Sequence, residues 1–364
     1  MDEAIKYLCA NHFHRRLWLP ENAIHQRLRV TYSTTSNFFD TTLPVILFCG
    51  PMFGSRWNSA FIDNLATTSG VRVISIDRPG MGGSTQVPLN IRVKVWLETV
   101  PALLAALEVK NVSLVSHSAG TIYAMNTMYL QRDILDPQHP YVAFIAPWVQ
   151  NEHSQATLMK LASAVPASWI DSWDRVNRFI AGNVVPPVAW SGGILSSVSS
   201  MFQSGAGDSG DVTPGERYGV SEEVGKCIEK LQMKWCLAES STAGNEEALL
   251  TLKKGGAGNW GICEDYEGFV QVCTQQEQQQ RGAHPNPPKL QVQTYFAQSD
   301  VMIGEGGRQY FEQCWKQDGV AEAMEFDSVV MAGTNHDSAL VDLKKGALRP
   351  VFERVAKARA QAQE

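Results

Sequence analysis

The stretch LVSHSAGTIYAM, residues 114–125, carries the strongest structural signal in the chain. Its first residues continue the apolar run 112–116, which predicts a buried strand, and its last residues predict a helix. Between the two lies the small-residue turn SHSAG, residues 116–120, with Ser118 at its tip.

The same succession of strand, turn and helix recurs on both sides of this stretch. Short apolar runs rich in β-branched residues predict further buried strands at 44–48, 71–76, 141–146, 290–296 and 324–331. Apolar residues at helical spacing predict helices at 57–68, 91–109 and 338–362. This alternation is typical of an α/β fold with a mostly parallel central sheet flanked by helices.

The pattern breaks between residues 150 and 288. This part contains helical patches, a Gly/Ser-rich stretch at 203–217 and the polar stretch QQEQQQRGAHPNPP at 275–288, which we interpret as a linker. A chain of 364 residues is long enough for a main domain with a second module. We therefore predict a core domain formed by 1–149 and 289–364, interrupted by a large, mainly helical cap insertion at 150–288.

Composition and charge exclude several classes of partner. Hydrophobic residues make up 44% of the chain and charged residues 19%, as in an ordinary globular protein. The net charge of -6 offers no basic surface, so we predict no nucleic-acid partner. The sequence has no apolar run long enough for a membrane span and no secretory signal at its charged start, so we predict a cytoplasmic location. Oligomeric state is left open.

The cysteine pattern indicates no metal centre. None of the cysteines forms a CxxC pair or falls into zinc-finger spacing with histidine, and the seven stand at positions 9, 49, 227, 236, 263, 273 and 314. We predict that most are reduced and buried, with one disulfide such as Cys263–Cys273 left open. No cofactor is implied.

Three turns together resemble those of the α/β-hydrolase superfamily. The segment SHSAG is similar to its G-x-S-x-G nucleophile elbow, with Ser116 in place of the first glycine. This resemblance implies a serine held in a strained conformation at the head of a helix, with small residues as neighbours. The segment CGPMFGSRW, 49–57, resembles its HG-containing loop, and IDRPGMGGST, 76–85, resembles its D-R-P-G-x-G-x-S turn. The whole arrangement resembles capped fungal members of the serine hydrolase branch. Taken alone, SHSAG is also compatible with an ordinary turn whose serine caps a helix.

The resemblance implies a catalytic triad in the chain order serine, acid, histidine. Ser118 would be the nucleophile, and Asp300 and His336, which follow the last two predicted strands, would be the acid and the base. Because some members carry the acid after an earlier strand, Glu152 remains the alternative acid.

The resemblance also implies an oxyanion hole made of two backbone amides. Ala119, which follows the serine, would supply one. The family often takes the second from the position of Pro51, which has no amide hydrogen, so Met52 becomes the candidate. The alternative is a loop that only shapes the pocket. Asp77 and Arg78 are expected to tie their turn together through hydrogen bonds.

An insertion at this point of the fold is expected to cover the site and select the substrate. We predict substrate contacts for Trp169 and Trp173, and for His117 beside the serine, although aromatic residues of the insertion are equally compatible with a small core of its own. Further aromatic residues of the insertion are Phe179, Trp190, Phe202, Trp235, Trp260 and Phe269.

The predicted function is a serine hydrolase acting on a small-molecule substrate, namely a small, largely apolar ester, lactone or related acyl compound. A serine at the elbow argues against the epoxide hydrolase and haloalkane dehalogenase branches, which use aspartate. Cleavage of a carbon–carbon bond and acyl transfer remain open, since the same triad supports both. A ligand-binding protein with little turnover is the alternative outside enzymes.

Overall fold

A computed structural model describes residues 1–156, 159–160, 164, 212–239, 242–254, 259–283 and 288–361. The strands are β1 (Arg15–Leu19), β2 (Leu28–Thr34), β3 (Val45–Cys49), β4 (Arg72–Ile76), β5 (Ser113–His117), β6 (Tyr141–Ile145), β7 (Leu290–Ser299) and β8 (Met324–Asn335). The helices before the insertion are α1 (Asp2–Leu8), α2 (Asn58–Thr68), α3 (Arg92–Ala106) and α4 (Gly120–Leu130). Helices α5 to α9 belong to the insertion and are described below. The helices after the insertion are α10 (Gly304–Trp315), α11 (Val320–Ala323), α12 (Ser338–Val341) and α13 (Leu348–Gln361).

The eight strands form one sheet in the order β1-β2-β4-β3-β5-β6-β7-β8. The strands from β4 to β8 in this order pair in parallel, whereas β2 pairs antiparallel with both β1 and β4. The chain therefore has the α/β-hydrolase fold predicted from the sequence, with a mostly parallel sheet. Because parallel strands end at the same edge, the turns after β3, β4, β5, β7 and β8 meet there.

Helices cover both faces of the sheet. One apolar cluster joins the sheet to α3, α4 and α10, and a second joins it to α2, α12 and α13. The central strands β3 to β6 are buried along their whole length, which explains why they appear in the sequence as continuous apolar runs. Burial on both sides fixes the carboxyl edge of the sheet as a rigid support.

The described parts of the insertion are helical, with α5 (Asn151–Ser154), α6 (Pro214–Tyr218), α7 (Glu222–Ala238), α8 (Thr242–Thr251) and α9 (Tyr266–Ala283). Helix α6 contacts α2, and helix α7 contacts α1. Apolar residues of α8 and α9 join the same cluster as α3 and α4. These helices therefore pack directly on the core. The exact division into core and cap stays a prediction.

The structure corrects one interpretation in the insertion. Residues 275–283, interpreted as part of a linker, belong to helix α9. Glutamine and glutamate are good helix formers, and one face of this helix is buried through Cys273, Thr274 and Glu277. Most of the Gly/Ser-rich stretch lies outside the described residues.

The last predicted helix also differs from the structure. Instead of one helix over 338–362, the short α12 is followed by α13. Asp342 accepts hydrogen bonds from the backbone N–H groups of Lys344 and Lys345, both at 2.8 Å, and this local bonding turns the chain.

Two further expectations concern disulfides and membranes. All seven cysteines are free, so Cys263 and Cys273 do not form the disulfide that the sequence left open. No helix within the described ranges combines the length and the apolar character needed to cross a bilayer.

Candidate active site

The carboxyl edge of the sheet brings together the three residues that the sequence singled out. Ser118 follows β5, Asp300 follows β7 and His336 follows β8. The His336 Nε2 atom lies 2.9 Å from the Ser118 Oγ, and its Nδ1 lies 2.8 Å from the Asp300 Oδ2. All three side chains are buried. An acid, an imidazole and a hydroxyl thus form one continuous hydrogen-bonded chain.

The direction of these hydrogen bonds follows from the chemistry of the groups. A carboxylate only accepts, so the His336 Nδ1 carries the proton that it donates to Asp300. In the neutral ring, Nε2 then has a free lone pair and accepts the Ser118 hydroxyl proton. This is the protonation state in which an imidazole can act as a base toward the serine.

The pKa of Asp300 is lowered and the pKa of His336 is raised, so both shifts favour the charged forms of the two groups. Burial opposes ionisation, but His336 and the N–H groups of Met302 and Ile303 outweigh it and hold the pKa of Asp300 below its ordinary value. For His336, burial favours the neutral ring, yet the Asp300 carboxylate prevails and raises the pKa above its ordinary value. Asp300 is therefore suited to stabilise an imidazolium.

Ser118 stands on a strained turn, as the sequence predicts. Its φ of +52° lies in the left-handed region, which a non-glycine residue occupies at a cost of about 1–2 kcal/mol. Its N–H donates to Ile145 O at 3.0 Å, and its carbonyl accepts from Trp148 N at 3.3 Å. These bonds, to the last residue of β6 and to the segment that follows it, hold the turn in place.

Gly120 explains why this turn needs a residue without a side chain. A Cβ at Gly120 would lie 2.0 Å from the Cys49 carbonyl oxygen and 2.7 Å from that of Gly50. The head of α4 is therefore in direct backbone contact with the start of the β3–α2 loop (residues 50–57). At the first position of the motif, the Ser116 hydroxyl is accommodated but buried without a hydrogen-bond partner in the part of the chain that the structure describes.

Two backbone amides that the sequence predicts as oxyanion donors have no hydrogen-bond acceptor among the described residues. They are the N–H groups of Ala119 and Met52. Ala119 is the first residue after the serine, and Met52 belongs to the β3–α2 loop that contacts the head of α4. These are the two donors proposed from the sequence.

His117 has a structural contact that the sequence did not reveal. Its ring is buried, and Nε2 donates to the His336 carbonyl oxygen at 3.0 Å. Burial and the neighbouring His336 lower the pKa of His117 to about 3, so the ring is neutral. This contact favours support of the His336 backbone over the substrate contact that the sequence suggested.

The turn after β4 is built as the sequence predicts. Asp77 accepts hydrogen bonds from the Arg56 N–H at 2.6 Å and from the Thr31 hydroxyl at 2.5 Å. Arg78 donates to carbonyl oxygens of the β3–α2 loop, including Gly50 at 2.6 Å. Both side chains thus support the loops around Ser118 without contacting the serine.

Other predicted site residues are placed differently. Trp169 and Trp173 lie outside the described residues, together with Phe179, Trp190 and Phe202. The alternative acid Glu152 is exposed and pairs with His153. Of the insertion aromatics that the structure describes, Trp260 and Phe269 are buried in the packing between insertion and core.

Sequence reasoning missed two acidic residues that the insertion contributes near the site. Glu239 pairs with Arg56, and Glu247 pairs with Arg78 at 3.2 Å. Both arginines belong to or contact the β3–α2 loop. No motif marks either glutamate, because only the docking of the insertion brings them to the loop.

Comparison with solved structures identifies proteins that share this fold. A carboxylesterase of the thaumarchaeon Nitrososphaera gargenis is 13% identical, with 96% of this chain and 100% of that chain covered and a TM-score of 0.53. The enol-lactonase of Burkholderia xenovorans LB400 is 10% identical, with 94% and 100% covered and a TM-score of 0.52. A membrane phospholipase A is 11% identical, with 98% and 91% covered and a TM-score of 0.56. At such identities the likeness establishes the fold alone.

Sequence comparison establishes the family. A search of curated proteins finds no match. The model of the alpha/beta hydrolase family matches residues 45–343, which is most of the chain and includes Ser118, Asp300 and His336. The chain therefore belongs to the alpha/beta hydrolase family and is a hydrolase.

Proposed function

We propose that Ser118, His336 and Asp300 form a catalytic triad and that the protein hydrolyses a small, largely apolar ester, lactone or related acyl compound. The proposal rests on the hydrogen-bonded chain from the Ser118 Oγ through His336 to Asp300, with distances of 2.9 and 2.8 Å. A carboxylesterase and an enol-lactonase among the structures of the same fold support an acyl substrate.

The first half of the reaction transfers the acyl group to the enzyme. The Ser118 Oγ attacks the carbonyl carbon while its proton passes to the His336 Nε2. The carbonyl oxygen becomes an oxyanion and accepts hydrogen bonds from the N–H groups of Ala119 and Met52. The C–O bond to the leaving group then breaks, and the leaving alkoxide takes the proton from Nε2. The product of this half is an acyl-Ser118 ester.

The second half releases the acid. A water molecule loses a proton to the His336 Nε2 and attacks the acyl carbon, again through an oxyanion. The bond to the Ser118 Oγ breaks, and the serine recovers its proton from Nε2. Asp300 stays ionised throughout and stabilises the imidazolium in both halves.

The proposal is tested by turnover and by covalent labelling. We expect the protein to hydrolyse p-nitrophenyl acetate and butyrate and to react with a fluorophosphonate, since only an activated serine reacts readily with this probe. Ser118→Ala and His336→Ala should each abolish labelling and reduce turnover by several orders of magnitude. Ser116→Ala is the matched control, because it removes a neighbouring hydroxyl that has no partner.

The outcomes separate the alternatives. Labelling without turnover of either ester would favour carbon–carbon bond cleavage or acyl transfer by the same triad. Absence of both would favour a ligand-binding protein on this fold. Labelling that persists in Ser118→Ala would contradict the assignment of the nucleophile. A cytoplasmic location and a small-molecule substrate stay predictions.

A further inference from the structure

Arg78 binds three successive carbonyl groups of the β3–α2 loop. Its Nη1 donates to Gly50 O at 2.6 Å, and its Nη2 donates to Met52 O at 3.0 Å and also to Pro51 O. The side chain is buried, and its guanidinium lies 4.9 Å from the centre of the Tyr123 ring. One cation therefore fixes the orientation of three peptide groups.

This anchoring also decides where the Met52 N–H points. In a trans peptide the carbonyl and the following N–H point in opposite directions, and the described chain has no cis peptide. Since Pro51 O is directed at Arg78, the Met52 N–H is directed away from it. Rotation of the Pro51–Met52 peptide would withdraw this amide and would break the bond between Arg78 and Pro51.

The negative charge that compensates the Arg78 guanidinium belongs to a residue of the insertion. Among the residues that the structure describes, Glu247 is the acidic partner of Arg78: the Nε and Oε2 atoms lie 3.2 Å apart, an ion-pair contact without hydrogen-bond geometry. Glu247 lies on α8 and is fully buried. A buried guanidinium with only carbonyl partners would be left without charge compensation, which is costly in a dry environment.

Glu247 is itself held by two groups of the core. Its Oε1 accepts from the Arg92 Nε at 2.9 Å and from the Tyr123 hydroxyl at 2.6 Å. Burial and the Glu247 charge raise the pKa of Tyr123, so the phenol stays protonated and donates. Tyr123 lies on α4, whose head carries Ser118. One carboxylate of the insertion thus connects the elbow helix to the β3–α2 loop.

We propose that Glu247 is a positioning residue for the oxyanion hole and that it acts through Arg78. By compensating the Arg78 charge, it holds the Pro51–Met52 peptide in the orientation that presents the Met52 N–H to the oxyanion. The inference rests on the proposed function, because it takes Met52 as the second donor. If it holds, the oxyanion is fully stabilised only when the insertion packs on the core so that Glu247 reaches Arg78.

The test compares Glu247→Gln with Glu246→Gln. Glu247→Gln keeps the size of the side chain but removes the charge that faces Arg78. We expect kcat for p-nitrophenyl butyrate to fall by about 10²-fold, the scale of losing one oxyanion donor, with KM nearly unchanged. The Ki of a trifluoromethyl ketone, which forms an oxyanion adduct with the serine, should rise by a similar factor.

Glu246→Gln is the matched control. Glu246 is the neighbouring residue on α8 and binds Arg92 at 2.9 Å, but it has no recorded contact with Arg78. The control should keep kcat and the ketone Ki near the wild-type values. Equal effects of the two substitutions, or a rise of KM alone in Glu247→Gln, would overturn the inference.

A second variant covers the case in which Glu247→Gln does not fold. Arg78→Lys keeps a positive charge beside Glu247, but a single ammonium does not reproduce the fork that binds three carbonyls. It should lower kcat and raise the ketone Ki in parallel, and wild-type values would overturn the inference. Failure of the proposed function is distinguishable, because the wild-type protein would then show neither turnover nor fluorophosphonate labelling.

Discussion

At the scale of single residues, His336 decides at which pH the proposed triad can work. The ring must be neutral to accept the Ser118 proton, and its pKa is raised above its ordinary value by Asp300 against the effect of burial. His117, the other buried imidazole at the site, has a pKa of about 3 and stays neutral over the working range. A single ionisation should therefore govern the acid side of the pH–rate profile.

The first prediction follows from this assignment and concerns Asp300→Asn. In the wild-type protein, activity should fall as the pH drops through a midpoint above about 6.5, the ordinary histidine value. Without the carboxylate, burial lowers the pKa of His336, so the midpoint should move to lower pH. The value of kcat should also fall by about 10⁴-fold, because the ring loses the partner that sets its tautomer.

Profiles of kcat/KM for p-nitrophenyl butyrate between pH 5 and 9 measure the midpoint, and kcat at the plateau measures the loss of turnover. Glu152→Gln is the control, since Glu152 was the alternative acid and lies exposed beside His153. It should leave the midpoint and kcat unchanged. A midpoint that does not move in Asp300→Asn, or moves to higher pH, would contradict the role given to Asp300.

At the scale of secondary structure, the sequence predicts element boundaries most accurately where the apolar residues follow a clear strand or helix pattern. Strand β5 was predicted at 112–116 and lies at Ser113–His117, and α2 was predicted at 57–68 and lies at Asn58–Thr68. Strand β1 begins with two arginines and β2 alternates apolar and polar residues, so neither has the continuous apolar run of a doubly buried strand, and the two pair antiparallel.

The site could be predicted only where a local motif marks it. Ser118, Asp300 and His336 each follow a predicted strand, and the fold carries such positions to one edge of the sheet. Glu247, in contrast, is paired with Arg78 across 169 positions of sequence (247 − 78). Neither spacing nor composition indicates such a contact, because it depends on how the insertion packs on the core.

The second prediction concerns the contact between α4 and the β3–α2 loop and compares Gly120→Ala with Gly70→Ala. A Cβ at Gly120 would meet backbone oxygen at 2.0 Å, so the head of α4 must shift. We expect a loss of about 3 kcal/mol in the free energy of unfolding, at the upper end for overpacking. We also expect a large fall in kcat, because Ser118 and the Ala119 amide move with the helix.

Gly70 is the control because an alanine there introduces backbone strain without a close contact, whereas Gly120 has no positive φ and its substitution introduces the contact alone. The φ of Gly70 is +70°, but the nearest atom to an added Cβ is 3.9 Å away. Gly70→Ala should cost about 1–2 kcal/mol and leave kcat intact. Urea unfolding and ester turnover measure the two effects. Wild-type kcat in folded Gly120→Ala would show that the close contact does not position the elbow.

At the scale of the whole molecule, the insertion and the core share one interior. Ala248, Leu250, Trp260 and Phe269 of the insertion lie in the same apolar cluster as Leu104 of the core. Buried polar contacts reinforce this packing: the Trp148 indole N–H of the core donates to Thr251 O of the insertion at 3.1 Å. We therefore expect the described helices of the insertion to unfold together with the core.

The last prediction tests this unity through a buried ion pair at the junction. Arg132, just after α4, pairs with both carboxylate oxygens of Glu277 on α9, at 2.5 and 3.0 Å. The Glu277 side chain is 3% exposed, so Glu277→Gln leaves a largely buried guanidinium without its countercharge. We expect the free energy of unfolding to fall by about 3–5 kcal/mol.

Glu305→Gln is the matched control, since Glu305 pairs with Arg308 at 2.5 Å but is 63% exposed, and its loss should cost less than about 1 kcal/mol. Urea unfolding followed by tryptophan fluorescence and by far-UV circular dichroism measures both variants. Because insertion and core share one interior, the two probes should give coincident transitions in the wild-type protein, and in Glu277→Gln they should shift together. Transitions that do not coincide in Glu277→Gln would mean that one part of the molecule unfolds before the rest, which would contradict a single interior shared by insertion and core.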